Sequence, residues 1–122
     1  MTKILLVDDD TELLFALSRL LKKSNYDVRS LSQAKDIHHT IESFKPSLII
    51  LDILLDNHDG RDICMQLKQN GDLSDVKIIL YSAFQDMEDE YKTYGADDFI
   101  AKPFNGKDLL DKIQSHLQAS AA

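Results

Sequence analysis

Apolar stretches alternate along the chain with segments of helical periodicity. The most continuous stretch runs from Leu48 to Leu51 without a polar residue and ends at Asp52. An unbroken apolar run predicts a strand buried on both faces, as inside a parallel sheet. Strands are predicted at about Lys3–Asp8, Asp27–Leu31, Leu48–Asp52, Val76–Ser82 and Asp98–Ala101, the second being a weak candidate for an edge. Each interval between strands can hold a crossover helix, so the pattern predicts five βα units.

A helix is predicted after each strand. The predicted helices cover about Thr11–Lys23, Ala34–Phe44, Arg61–Asn70, Asp86–Tyr94 and residues 106 or 107 to 117. Asp10 or Thr11 can cap the first helix and Asn105 the last, because such side chains accept hydrogen bonds from free backbone N–H groups. Gly71 is the predicted stop of the third helix. The fourth helix is mostly charged, and we therefore expect it to dock loosely.

The length and composition fit one domain with its own hydrophobic core. The chain has 122 residues, of which 43% are hydrophobic. We predict a single α/β domain over residues 1–122, with three layers in a doubly wound arrangement. The core is predicted at about residues 3–118, and the small, polar residues 119–122 are predicted to be a frayed tail or the start of a linker.

The net charge and the single cysteine indicate the cellular compartment and the kinds of partner to expect. Cys64 is the only cysteine and cannot form an internal disulfide, so we expect a reduced, partly buried thiol. No segment approaches membrane-spanning length, and no apolar signal region precedes the first strand. The net charge of −7 argues against direct nucleic-acid binding, which depends on Lys and Arg. These features predict a cytoplasmic protein that binds neither membranes nor nucleic acid directly.

Functional groups stand at the ends of the strongest predicted strands. The first strand ends at Asp8 and Asp9, the third at Asp52, the fourth at Ser82, and Lys102 follows the fifth. Parallel strands bring their carboxyl ends to one edge of the sheet, so these groups are predicted to converge there. Carboxylates held close together repel each other unless a cation neutralises them, and oxygen-rich clusters suit Mg²⁺.

The positions of the glycines limit the kinds of ligand that this edge of the sheet can bind. The four glycines, Gly60, Gly71, Gly95 and Gly106, form neither a G-x-G-x-x-G motif nor a P-loop. A nucleotide held by backbone amides is therefore not expected. The remaining interpretation is an aspartate-centred Mg²⁺ site suited to phosphoryl transfer onto a carboxylate.

Four separated motifs resemble the receiver domain of bacterial two-component response regulators. They are K-I-L-L-V-D-D-D, the apolar run ending at Asp52, the pair Ser82-Ala83, and A-K-P-F around Lys102. The resemblance covers essentially the whole chain. It implies a flavodoxin-like fold in which five parallel strands take the order 2-1-3-4-5.

The resemblance also implies roles for the acidic residues. Asp8 and Asp9 match the acidic pair that holds Mg²⁺ in this family. Asp52 matches the aspartate that accepts a phosphoryl group from a phosphohistidine, so a histidine kinase or a histidine phosphotransfer protein is the implied donor. Leu54 occupies the position whose backbone carbonyl completes the metal site.

Three further matches imply a switch. Ser82 matches the hydroxyl residue that reaches toward the phosphoryl group, and Lys102 matches the lysine that pairs with it. Phe99 stands at the position of an aromatic switch residue. The implied output surface lies near Asp86–Tyr94, Phe99 and the last helix, and it would contact a downstream protein or a removed output domain. The Lys102-Pro103 bond would be cis by the same likeness.

The chain departs from the family pattern at two positions. Asp56 stands where the family usually has a proline after the phosphoacceptor, which removes rigidity and adds a charge beside the metal site. This substitution predicts altered loop dynamics or metal affinity. Phe99 has no hydroxyl, so its inward and outward positions would differ only in packing.

Two other functional classes are compatible with parts of the sequence. The segment Asp8-Asp9-Asp10-Thr11 resembles the D-x-D motif of haloacid dehalogenase-like phosphatases, in which Asp8 would be the nucleophile. A receiver fold acting as a phosphorylation-independent binding module is the third reading. Within the receiver reading, the chain is either a stand-alone regulator or one domain of a larger protein.

Other polar and aromatic residues are predicted to have no part in the chemistry. His58 is predicted to be a solvated loop residue, and no chemistry is assigned to His116. Asp97 and Asp98 precede or begin the fifth strand, so we expect them at the opposite edge of the sheet and solvated. Tyr91 and Tyr94 are predicted to pack, and they also belong to the implied output surface.

Overall fold

Five parallel strands form one sheet in this computed structural model, which describes residues 1–55, 57–83 and 90–121, with only the backbone for residues 118–121. The strands are β1 (Lys3–Val7), β2 (Asp27–Leu31), β3 (Leu48–Asp52), β4 (Lys77–Ser82) and β5 (Asp98–Ala101). Their order is β2-β1-β3-β4-β5, and every neighbouring pair is parallel. The α/β class, the flavodoxin-like order and the edge position of β2 are therefore confirmed.

Helices cover both faces of this sheet. The α-helices of the described residues are α1 (Thr11–Lys23), α2 (Ile37–Phe44), α3 (Gly60–Gln69) and α4 (Gly106–Ala121). Successive side chains of a strand point to opposite faces, so each central strand contributes to two hydrophobic clusters. One cluster joins the sheet to α2 and α3, and the other joins it to α1 and α4. The three-layer prediction is correct.

Several predicted helix boundaries are confirmed by their caps. The Asp10 side chain accepts a hydrogen bond from the Leu13 N–H at 3.1 Å, and Asn105 accepts one from the Asp108 N–H at 2.8 Å. α2 ends at Phe44, where Lys45 takes a left-handed conformation before Pro46. Cys64 of α3 is fully buried, which is deeper than predicted.

Other boundaries differ from the predictions. Residues Ala34–Asp36 form a 3₁₀ turn before α2, and the predicted stop Gly71 instead begins a second 3₁₀ turn, Gly71–Leu73. α3 ends one residue earlier, because the Asn70 N–H bonds to the Leu67 carbonyl.

The last helix continues to Ala121, beyond the predicted end at Leu117. The sequence prediction treated the alanines there as small loop residues, although alanine has the highest helix propensity. Of the predicted helix Asp86–Tyr94, residues 86–89 lie outside the described part, and Tyr91–Tyr94 form a 3₁₀ helix. Among the described residues, no helix is both long and apolar enough to cross a membrane.

Candidate functional site

The carboxyl ends of β1, β3, β4 and β5 meet at one edge of the sheet. Asp8 directly follows β1 and is fully buried, Asp52 ends β3 at 5% exposure, and Ser82 ends β4 at 1%. The backbone N–H of Lys102, directly after β5, donates to the Ser82 carbonyl at 2.8 Å. Four strand ends, distant in sequence, therefore bring two acidic residues, one hydroxyl residue and one basic residue to the same region.

Lys102 bridges two of the carboxylates. Its Nζ lies 3.0 Å from Asp8 Oδ2 and 3.4 Å from Asp52 Oδ2. The Lys102 side chain keeps 22% exposure, whereas both carboxylates are almost inaccessible. The Lys102 side chain is thus more accessible to solvent than the two carboxylates that it contacts.

Asp8 has a further partner that the sequence analysis missed. The Tyr81 hydroxyl donates to Asp8 Oδ2 at 2.6 Å, and the Asp10 N–H donates to Asp8 Oδ1 at 2.9 Å. The Lys102 ammonium also lies 4.4 Å from the centroid of the Tyr81 ring. The only signal in the sequence was a tyrosine directly before Ser82 in an otherwise aliphatic strand.

The environment shifts the pKa values of the two buried carboxyl groups in opposite directions. Burial and the negative charge of Asp8 raise the pKa of Asp52 to about 7, against the opposing effect of Lys102. Burial alone would also raise the pKa of Asp8, but hydrogen bonds from Tyr81, the Asp10 N–H and Lys102 hold that pKa below its usual range. The two buried carboxyls thus disfavour each other's ionisation, and Asp52 is the one whose pKa rises.

The acidic residues fit a divalent cation. Asp8, Asp9 and Asp52 each offer a carboxylate oxygen, and these oxygens lie within 4.8 Å of one another. Carboxylates this close repel one another, and a divalent cation among them would reduce that repulsion. A set of oxygen donors is also what Mg²⁺ prefers.

The chain after Asp52 folds back tightly on the strand. The Leu54 N–H donates to Asp52 Oδ1 at 3.3 Å, and the Gly60 N–H donates to the Ile53 carbonyl at 2.8 Å. Leu54–Leu55 pair antiparallel with His58–Asp59 to form a short hairpin. Metal binding by the Leu54 carbonyl remains a prediction. Asp56 lies outside the described residues, so its predicted effect on the loop and on metal affinity also remains a prediction.

The remaining candidates have distinct surroundings. Phe99 lies inward at 4% exposure, within the cluster beneath α2 and α3, and Tyr91 and Tyr94 pack against that cluster as predicted. His58 is exposed, and the Lys102-Pro103 bond is cis, as the resemblance implied.

Asp97 and Asp98 lie at the opposite edge of the sheet as expected, but the prediction that they are solvated is wrong. Asp97 Oδ2 accepts from Lys68 Nζ at 2.7 Å and from the Ile78 N–H at 2.8 Å. Asp98 is held by Lys112 at 3.0 Å and by His116 at 2.9 Å. The prediction failed because the partners come from α3, β4 and α4, which are distant in sequence.

A parallel three-layer fold with this acidic edge defines the class of protein, and a family comparison agrees. The family model described as response regulator receiver domain matches residues 4–114. The chain therefore belongs to the response regulator receiver domain family.

Curated relatives support the same assignment. The transcriptional regulatory protein GltR of Pseudomonas aeruginosa is 35% identical over 117 residues, covering 94% of this chain and 48% of that protein. The response regulator ArlR of Staphylococcus saprophyticus is 38% identical over 120 residues, covering 97% and 53%. The chain thus spans about half the length of these relatives.

Solved structures share the fold over nearly the whole chain. A CheY-like receiver domain protein from Methanospirillum hungatei superposes with a TM-score of 0.89 at 28% identity, covering 99% of this chain and 97% of that one. A signal receiver domain from Bermanella marisrubri gives 0.87 at 31% identity, covering 96% and 99%.

Proposed function

We propose that this receiver domain accepts a phosphoryl group on Asp52 in a Mg²⁺-dependent reaction and transmits the change to a partner. The observation that carries the proposal is the convergence of Asp8, Asp9, Asp52 and Lys102 at one edge of the sheet. This edge combines a buried carboxylate nucleophile, further carboxylates for a cation, and an ammonium for an anionic group.

The donor is a phosphohistidine of a histidine kinase or a histidine phosphotransfer protein. An Asp52 carboxylate oxygen attacks the phosphorus, the N–P bond breaks, and its electron pair leaves on the histidine nitrogen, which takes up a proton. Asp8, Asp9, Asp52 and the Leu54 carbonyl would hold Mg²⁺, which would supply charge neutralisation between the carboxylate and the anionic donor. Lys102 then pairs with the new phosphoryl oxygens.

The switch begins with the groups beside Asp52. Ser82 is buried at the end of β4 and supplies a hydroxyl for the phosphoryl group. Phe99 pairs in register with Leu80 of β4, so a displacement of β4 acts directly on the packing of Phe99. We assign the output surface to the region near Asp86–Tyr94, Phe99 and α4.

The same proposal includes the cellular compartment of the domain and the nature of its output. A cytoplasmic setting follows from partnership with a kinase, and a buried, reduced Cys64 agrees with it. Residues 1–122 act as one receiver domain, and the output is a downstream protein or a further domain. The relative named as a transcriptional regulatory protein favours an output that acts on transcription, through a part other than this acidic domain.

The test is the intact mass after incubation with acetyl phosphate and Mg²⁺. Acetyl phosphate transfers its phosphoryl group to the carboxylate and releases acetate. The native chain and Asp72→Asn, an exposed aspartate remote from the site, should gain one phosphoryl adduct. Asp52→Asn should gain none, and a chelator should abolish the adduct on the native chain.

Two results would overturn this function. An adduct that survives Asp52→Asn and disappears with Asp8→Asn would favour a phosphatase-like nucleophile. Absence of any adduct, together with absence of Mg²⁺ binding in calorimetry, would favour a phosphorylation-independent binding module.

A further inference from the structure

Tyr81 is the large polar side chain buried directly beneath the acidic site. It lies in the strand sequence K-I-I-L-Y-S, next to Ser82, and its side chain is fully buried in the cluster beneath α1 and α4. The Phe104 ring packs edge-on against it, with the ring centroids 6.0 Å apart and the planes at 67°. The position and orientation of the phenol are therefore fixed by packing.

The hydroxyl of Tyr81 helps to fix the orientation of the Asp8 carboxylate. Asp8 Oδ2 accepts from both Tyr81 and Lys102, while Oδ1 accepts from the Asp10 N–H. Two side-chain donors thus hold Oδ2 and one backbone donor holds Oδ1, and together they fix the orientation of the carboxylate. The Tyr81 hydroxyl thus helps to set the orientation in which Asp8 would meet a cation bound by the cluster.

The ring of Tyr81 acts on Lys102 as well. The ammonium lies 4.4 Å from the ring centroid, within the range of a cation–π interaction. From that position Nζ contacts Asp8 and Asp52 together. One buried side chain thus contacts two of the groups that lie beside the proposed phosphoacceptor.

We propose that Tyr81 is a positioning residue for phosphoryl transfer, its hydroxyl orienting Asp8 for the divalent cation and its ring orienting Lys102 toward Asp52. The proposal rests on the proposed function of Asp52. Hydrogen-bond partners of metal ligands orient the ligands, and their loss typically weakens metal binding 10–100-fold.

The first test compares Tyr81→Phe with the native chain in Mg²⁺ titrations by calorimetry. This variant keeps the ring, its packing and its contact with Lys102, and loses only the hydroxyl. We expect Mg²⁺ to bind about tenfold more weakly. The matched control is Tyr26→Phe. Tyr26 packs against the same cluster, but it directly precedes β2 and so lies at the amino ends of the strands, opposite the acidic site.

Kinetics with acetyl phosphate separate positioning from simple packing. For Tyr81→Phe, the Mg²⁺ concentration at half-maximal rate should rise about tenfold, while the rate at saturating Mg²⁺ stays within about twofold of native. Tyr81→Leu also removes the ring, so its rate at saturating Mg²⁺ should fall about tenfold as well. Far-UV circular dichroism checks that each variant is folded.

Three outcomes would contradict the proposal. Mg²⁺ binding by Tyr81→Phe that equals or exceeds native binding would show that the hydroxyl does not orient Asp8. Equal maximal rates for the Phe and Leu variants would show that the ring does not orient Lys102. Weakened binding in Tyr26→Phe would show a general effect of lost hydroxyls. Failure of the proposed function is distinguishable, because the native chain would then gain no Asp52-dependent adduct.

Discussion

Asp98 joins the last strand to the last helix. Its carboxylate accepts from the Phe99 N–H at 2.8 Å, from Lys112 at 3.0 Å and from His116 at 2.9 Å. Lys112 and His116 are four residues apart on α4 and so lie on the same face of the helix. Burial alone would raise the pKa of Asp98, but the hydrogen bonds from His116, the Phe99 N–H and Lys112 hold that pKa below its usual range.

We predict that Asp98 makes stability depend on acid pH. A carboxyl whose pKa is lower in the folded state adds stability above its unfolded pKa of 3.8, and the contribution is lost as the pH falls through the folded value. Asp98→Asn should therefore lower the free energy of unfolding by about 1 kcal/mol near neutral pH. It should also flatten the loss of stability below about pH 4.

Urea unfolding of the native chain and Asp98→Asn, at neutral pH and across the acid range, measures this difference. Asp111→Asn on the exposed side of α4 is the control and should keep the native pH profile. Parallel profiles for native and Asp98→Asn would contradict the assignment.

The connection from β3 to α3 is shaped by a close approach of two backbone segments. A Cβ built on Gly60 would lie 2.1 Å from the Asp52 carbonyl oxygen and 2.9 Å from Ile53 Cα. Both neighbours are backbone atoms, so the clash cannot be relieved by a change of side-chain rotamer. The absence of a side chain at residue 60 is thus a condition for the hairpin to return against the end of β3.

We predict that Gly60→Ala lowers the free energy of unfolding by about 1–3 kcal/mol or more, because the strand end and the hairpin must separate. The variant should also weaken Mg²⁺ binding, since Asp52 belongs to the displaced backbone. Gly71→Ala is the matched control, because a Cβ at Gly71 meets no atom within 4 Å. Urea unfolding and calorimetry test both expectations, and equal stability of the two variants would count against this account.

We expect cations to change the stability of the whole domain through the acidic edge. Asp8 and Asp9 follow β1 and Asp52 ends β3, so a cation bound by all of them joins neighbouring strands at their carboxyl ends. A ligand that binds only the folded state adds stability by mass action.

We therefore expect Mg²⁺ to raise the free energy of unfolding by about 2.7 kcal/mol at one hundred times its dissociation constant. Asp9→Asn should reduce this increase, while Asp111→Asn should leave it unchanged. Thermal or urea unfolding with and without Mg²⁺ gives the comparison. An increase of equal size in Asp9→Asn would show that the cation acts elsewhere.

Much of the fold follows from patterns that are local in the chain. Apolar runs predicted the strands, helical periodicity and caps predicted most helices, and the spacing predicted the parallel βα arrangement. The acidic cluster could also be predicted, because the carboxyl ends of parallel strands share one edge whatever the details of packing. The order of the strands came from the family resemblance, since local patterns do not specify which strands are neighbours.

Only the tertiary structure decided which side chains meet. Tyr81 and Asp8 are far apart in sequence, as are Lys68 and Asp97, and no periodicity links the members of either pair. Gly60 could be predicted as a turn residue, but its contact with the Asp52 carbonyl depends on how the hairpin returns to β3. Local patterns report the burial and backbone preference of each segment, whereas these hydrogen bonds and close contacts form only when distant segments are packed together.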